Sequence, residues 1–182
     1  GLAVSAFLVT NTAAATALVV WLILGHIHTG KMSAVGAATG AVAGLVAITP
    51  AAGFVGPMGS IAIGLGAGVL TFYAVRIRHK FGFDDALEVM AVHGIGGIWG
   101  ALATGIFAVG GIGLIDGDAK VLGYNAVAVL STIAYSFVVT FVILKILDVI
   151  PGLGLRADDA AEDAGLDVSL HGERAYVGDG AD

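Results

Sequence analysis

One ionisable side chain, His93, lies inside a run with no formal charge between Glu88 and Asp116. With the residues leading into it, the stretch from Asp84 to Ala108 reads DDALEVMAVHGIGGIWGALATGIFA. That is long enough to cross a bilayer, which takes roughly 20 apolar residues at ~1.5 Å each. A polar group at such depth is costly without a partner or a water-filled path, so a histidine there marks a functional site by default. The structural alternative is a neutral imidazole hydrogen-bonded to a neighbouring helix. His93 stands about six residues into the run, roughly 9 Å along a helix axis, nearer one face than the midplane. Gly94, Gly96, Gly97 and Gly100 surround it with bare backbone, so something packs or passes close by.

Three carboxylates, Asp84, Asp85 and Glu88, precede this helix. At a helix N-terminus they complement the macrodipole and can cap free N–H groups, which is the expected role of Asp84 and Asp85. Glu88 is placed at the mouth of whatever path His93 lines. Val89 falls one helical turn before His93 on the same face, where it lines that path or contacts lipid or another helix.

Other chemistries find little support. The chain has no cysteine, hence no disulfide framework, thiol chemistry or Cys metal site. No phosphate-cradling glycine loop lies between a strand and a helix, and no Ser/His/Asp arrangement stands out. His26 and His28 are two apart and cannot share a helix face; they read as interfacial groups at a membrane edge. His79 sits in a basic cluster and His171 near the C-terminus. The expectation is a protein that is not an enzyme and needs no cofactor.

The elements that must position these residues are apolar helices. The sequence is 58% hydrophobic and 12% charged, where soluble domains carry roughly 25% charged residues, and its mean hydropathy is +0.97. Its 29 glycines are spread through the apolar runs, as closely packed membrane helices require. Five runs are expected to span the bilayer, at about 2–25, 32–49, 58–75, 86–109 and 122–147, followed by a tail at 151–182. In the second run Gly36, Gly40 and Gly44 recur every four residues and form one smooth face. Pro50 and the short second run admit a broken helix, but a plain loop is the simpler reading.

Charge orients the runs. Lys31, Arg76, Arg78, Lys80, Lys145, Arg156 and Arg174 fall on one side if helices alternate, and Lys120 on the other. The positive-inside rule then puts the C-terminus in the cytoplasm and Gly1 outside. An external start without a charged leader reads as a segment of a longer chain. The net charge of −6 resides in the tail, where eight acids face Arg156 and Arg174. Such a tail would not bind nucleic acid or anionic lipid.

The pattern resembles the ammonium transporter (Amt/Mep/Rh) family, and within it the bacterial and archaeal branch. Asp84-Asp85, Glu88, Val92-His93-Gly94-Ile95-Gly96-Gly97-Ile98-Trp99-Gly100 and Thr104-Gly105-Ile106-Phe107 look like its tenth-helix signature. Asn11-Thr12 resembles the seventh helix, and Ala43 to Gly53 the eighth helix with its exit. Gly154, Arg156, Gly165, Asp167, His171, Gly172, Glu173 and Tyr176 fall on motifs resembling the family's cytoplasmic tail. The resemblance implies an all-α membrane protein supplying helices seven to eleven of an eleven-helix bundle, with the N-terminal half as a missing partner. It implies a homotrimer in the plasma membrane, each subunit passing ammonia through a narrow apolar pore lined by two histidines, the second of which His93 matches. It also implies that Glu88 meets a basic loop residue of a PII-type regulatory protein, and that the tail, with a short helix at Asp158 to Ala164, couples pore to regulator. Two other readings within the resemblance are a membrane ammonium sensor and an Rh-like gas channel. A haem-binding redox subunit would need a second histidine facing His93 at similar depth, and the other four are expected outside the spans.

Overall fold

The computed structural model describes residues 1–173. Those residues are helical, with one isolated antiparallel bridge, Val55 to Ala108. The main helices are α1 (Leu2–Thr29), α2 (Ala34–Ile48), α3 (Pro57–Phe81), α4 (Ile95–Phe107) and α5 (Lys120–Asp148). A π-helical turn, Val89–Gly94, leads directly into α4. The short helix α6 (Asp159–Ala164) and a second π-helical turn, Asp167–His171, follow α5.

The ends of these helices obey local chemistry. Ser33 accepts from the Gly36 N–H at 3.2 Å and starts α2. Pro57 occupies the first turn of α3, where its missing N–H costs nothing. Gly30 closes α1 in the left-handed conformation at φ 72°.

Several expected bounds shift. Four helical segments are apolar and long enough to cross a membrane: Leu2–Thr29, Pro57–Phe81, Val89–Phe107 and Lys120–Asp148. The helix of the second run is shorter than the run expected: α2 is an apolar helix of 15 residues, a rise of about 22 Å. His26 and His28 lie within the last turn of α1 rather than beyond it, His28 being bonded through Nδ1 to the Leu24 carbonyl at 2.8 Å. The third helix runs on through Arg76, Arg78, His79 and Lys80 to Phe81. The fourth begins at Val89 rather than Ala86, because residues 83–88 form a connection ahead of the π-helical turn.

Residues 1–131 form one compact unit. Its interior is built from small residues: Val9, Ala13 and Ala17 of α1 meet Ala47 and Ile48 of α2, Ile63 and Ala67 of α3, and Ala103 of α4. Close backbone approach makes this possible. A Cβ at Gly44 would lie 2.5 Å from the Ala13 carbonyl oxygen, and one at Gly64 would lie 2.6 Å from the same atom. Two tryptophans use the remaining gaps. Trp21 packs over Gly40 and donates from its indole to Thr71 Oγ1 at 3.1 Å. Trp99 packs over Gly66 and donates to the Ile63 carbonyl at 2.9 Å. The indole N–H of buried Trp21 and that of half-buried Trp99 are thereby satisfied. The start of α5 joins this unit where Asn125 donates to the Ala101 carbonyl at 2.7 Å.

The second unit comprises residues 132–182. It holds the rest of α5, which buries none of its residues, and the tail.

Candidate functional site

His93 is carried by the π-helical turn, and its ring is exposed. It faces an open groove of about 290 Å³ formed with Leu87 and Val92 from its own segment and Val35, Ala38, Thr39 and Val42 from α2. The wall is apolar apart from His93 and Thr39. The Thr39 hydroxyl donates to the Val35 carbonyl at 2.9 Å. A neutral imidazole on such a wall offers one donor and one acceptor.

The turn that carries the ring is held from below by charges. Asp85 is half-buried and accepts from the Val89 N–H through Oδ1 at 2.7 Å and from the Met90 N–H through Oδ2 at 2.8 Å. It caps the turn, as expected of it. Burial pushes the Asp85 carboxyl up, but the N–H groups of Val89, Met90 and Ala91, with the Arg78 charge, outweigh that and hold it below the ordinary carboxylate value. Asp84 is exposed and precedes it in the connection.

Glu88 occupies an unusual place. Among the described residues it is the one non-glycine with positive φ, at 57°. A side chain in that left-handed region costs on the order of 1–3 kcal/mol and persists only where surroundings enforce it. The enforcement comes from α3. Arg78 donates from Nε to Glu88 Oε2 at 3.0 Å and from Nη2 to Glu88 Oε1, while its Nη1 donates to the Phe83 carbonyl at 3.0 Å. His79 Nε2 lies 3.0 Å from Glu88 Oε1. The Arg78 and Glu88 side chains are 11% and 18% exposed. Glu88 therefore engages an arginine of its own chain.

With Glu88 left-handed, its carbonyl still accepts from the Val92 N–H at 2.7 Å, and the Ile95 N–H reaches back five residues to the Met90 carbonyl. That five-residue return is the π-helical signature, a rare feature frequently found at functional sites. Val89 and His93 both remain exposed. Val89 does not line the groove of Leu87, Val92 and His93.

The tail residues gather among themselves. Asp158 caps α6 by accepting from the Ala161 N–H at 2.7 Å, and Arg156 pairs with Glu162 at 3.6 Å. Gly165 and Gly172 take φ 93° and 67°, bracketing the turn that runs from Asp167 to His171. The Glu173 N–H donates to the Asp167 carbonyl at 3.0 Å. Gly154 is exposed, and Tyr176 lies outside the described residues. The short helix expected at Asp158 to Ala164 is present as Asp159–Ala164.

Sequence reasoning missed Arg78, which it used only to orient the chain, and the α2 wall of the groove. The signal for Arg78 was its place ten residues before a lone glutamate, across a connection short enough for the two side chains to meet.

The Ammonium Transporter Family profile matches residues 1–176. The ammonium transporter of Bacillus subtilis is 48% identical over 97% of this chain, and the match covers 45% of that protein. The crystal structure of Saccharomyces cerevisiae Mep2 superposes with a TM-score of 0.82 at 32% identity, covering 87% of this chain and 38% of that one. A solved structure described as a sensor Amt protein gives 0.80 at 33% identity, covering 91% and 41%. The chain thus spans less than half the length of the relatives it matches.

Proposed function

Because the chain belongs to the ammonium transporter family, we propose that it forms the C-terminal part of a transporter that moves ammonium across the plasma membrane. His93 lines the path. The observation that carries the reading is an exposed imidazole on an otherwise apolar groove, in a segment apolar and long enough to span a bilayer. NH4+ entering a dry apolar path meets a desolvation cost on the order of 10 kcal/mol. NH3 does not carry that charge. A path that removes the proton at its mouth passes a neutral molecule and leaves other cations behind. His93 hydrogen-bonds NH3 with one ring nitrogen and relays the proton with the other.

The remaining wall, with a second histidine, comes from the half of the transporter that this chain does not contain. The basic connections of the sequence favour a cytoplasmic C-terminus. Assembly as a homotrimer and docking of a PII-type regulator near Glu88 and the tail follow from the family resemblance. The tail's internal capping and its Arg156–Glu162 pair support an ordered coupling element.

The test is His93→Ala in a full-length transporter carrying this sequence as its C-terminal portion. Uptake of ammonium into proteoliposomes is lost, while assembly in detergent is unchanged. Undiminished uptake refutes the role. A second reading, an ammonium sensor, is favoured by the likeness to the sensor Amt structure. It requires saturable ammonium binding without net uptake in the same vesicles.

A further inference from the structure

We propose that Arg78 is a positioning residue for the transport path: its fork on Glu88 holds that residue left-handed and thereby sets the π-helical turn that presents His93. The inference rests on the transport reading given above and adds to it a residue that never touches the substrate.

The geometry supplies the chain of cause. Three nitrogens of one guanidinium are used at once, two on the Glu88 carboxylate and one on the Phe83 carbonyl. Arg78 therefore ties the C-terminal end of α3 to both ends of the connection at 83–88. Only an arginine presents that planar fork; a lysine offers a single point of charge. Glu88 is the last residue before the turn, and its φ of 57° determines where the Val89 N–H and the following chain go. The Asp85 cap on Val89 and Met90 then finds its N–H groups in place. Without the fork, Glu88 relaxes to the right-handed region that non-glycine residues prefer. The turn then closes as regular α-helix and the ring moves relative to α2. A displacement of about 1 Å at a reacting group costs up to ~100-fold in rate.

His79 is the adjustable third member. Its Nε2 sits 3.0 Å from Glu88 Oε1 and 3.2 Å from Arg78 Nη2, so it donates to one or accepts from the other. The Arg78–Glu88 fork does not need it.

The experiment compares variants of a full-length transporter carrying this sequence, each recovered as assembled protein and assayed for ammonium uptake in proteoliposomes. Arg78→Lys keeps the charge and removes the fork; Arg78→Gln removes both. Each is expected to lower the maximal uptake rate at least ~10-fold with little change in the half-saturating ammonium concentration. The discriminating variant is the double substitution Arg78→Gln with Glu88→Gly. Glycine accepts positive φ without help, so the double variant regains at least several-fold of the rate lost in Arg78→Gln. A role confined to charge or to folding gives no such recovery. Uptake by Arg78→Lys equal to that of the parent overturns the proposal, and so does an assembled double variant no faster than the single. Should Arg78→Gln not assemble, Arg78→Lys with and without Glu88→Gly carries the same comparison. His93→Ala run in parallel separates the two levels. If it transports normally the function itself is wrong; if it is dead while Arg78→Lys is normal, only the positioning role falls.

Discussion

The α1–α2–α3 interior and the turn that carries His93 are held together by opposite means. The interior contains no charged side chain among its buried residues and relies on glycine and alanine letting backbones touch. The turn is exposed and buries little beyond Ala91 and Val92. Its shape comes from Asp85 on two N–H groups and from Arg78 on Glu88. Contact packing in a membrane protein tolerates almost no change in volume, whereas a hydrogen-bonded latch tolerates changes of volume but not of donor geometry. The difference separates a scaffold that fixes where helices lie from a local device that fixes where one ring points.

The sharpest way to break this contrast is to add a side chain where backbones meet. Gly44→Val places its Cβ against the Ala13 carbonyl and the Ala14 Cα, neither of which can swing aside. Destabilisation of about 3 kcal/mol or more is expected, seen as poor recovery of folded protein or a large fall in thermal midpoint in detergent. A variant that expresses and melts like the parent would show that the helices are not in contact there.

A smaller effect comes from Trp21→Phe, which keeps the ring over Gly40 and removes the N–H that reaches Thr71. The expected loss is about 1 kcal/mol, read as a modest drop in the same midpoint. Ser33→Ala at the start of α2 should cost a similar ~1 kcal/mol or less, since the serine is exposed and its bond to the Gly36 N–H is 3.2 Å long.

The latch side is tested by pH. The Asp85 carboxyl is held below its ordinary value, so its contribution is fully present above about pH 4 and is lost as the pH falls through its lowered folded-state value. Thermal midpoints of the parent should therefore fall on acidification. Asp85→Asn should flatten that part of the dependence by lowering the midpoint near neutrality, by less than Gly44→Val does, and the difference from the parent should shrink on acidification. A neutral-pH loss for Asp85→Asn as large as that of Gly44→Val would erase the distinction between the two regions.

Much of the packed region was legible in the sequence because its signals are local. Gly36, Gly40 and Gly44 announce a smooth face by spacing alone, and the apolar runs mark the helices. Asp85 was legible as a cap because carboxylates ahead of a helix have few other uses. The π-helical turn was not. It depends on a left-handed glutamate, which no spacing rule anticipates, and on an arginine in another helix. Nor was the full length of α3 legible, because the basic residues from Arg76 to Lys80 look like a loop when only hydropathy is considered. In the structure Arg76 lies over the Phe72 ring, 5.8 Å from its centroid, and Arg78 is spent on Glu88, so both charges are accommodated at a helix end. The groove wall on α2 was hidden for a related reason: the Gly36, Gly40 and Gly44 face marks one packing side of α2 but does not say which of the remaining residues meet His93.

The chain's two tryptophans, Trp21 and Trp99, both sit in the glycine-lined gaps of the first unit, and the second unit has none. Tryptophan emission, excited selectively over the tyrosines, is therefore a built-in optical probe of the first unit that is blind to the second. Emission that shifts at one denaturant concentration, while helical circular dichroism continues to fall at another, would resolve the melting of the two parts without a label on either.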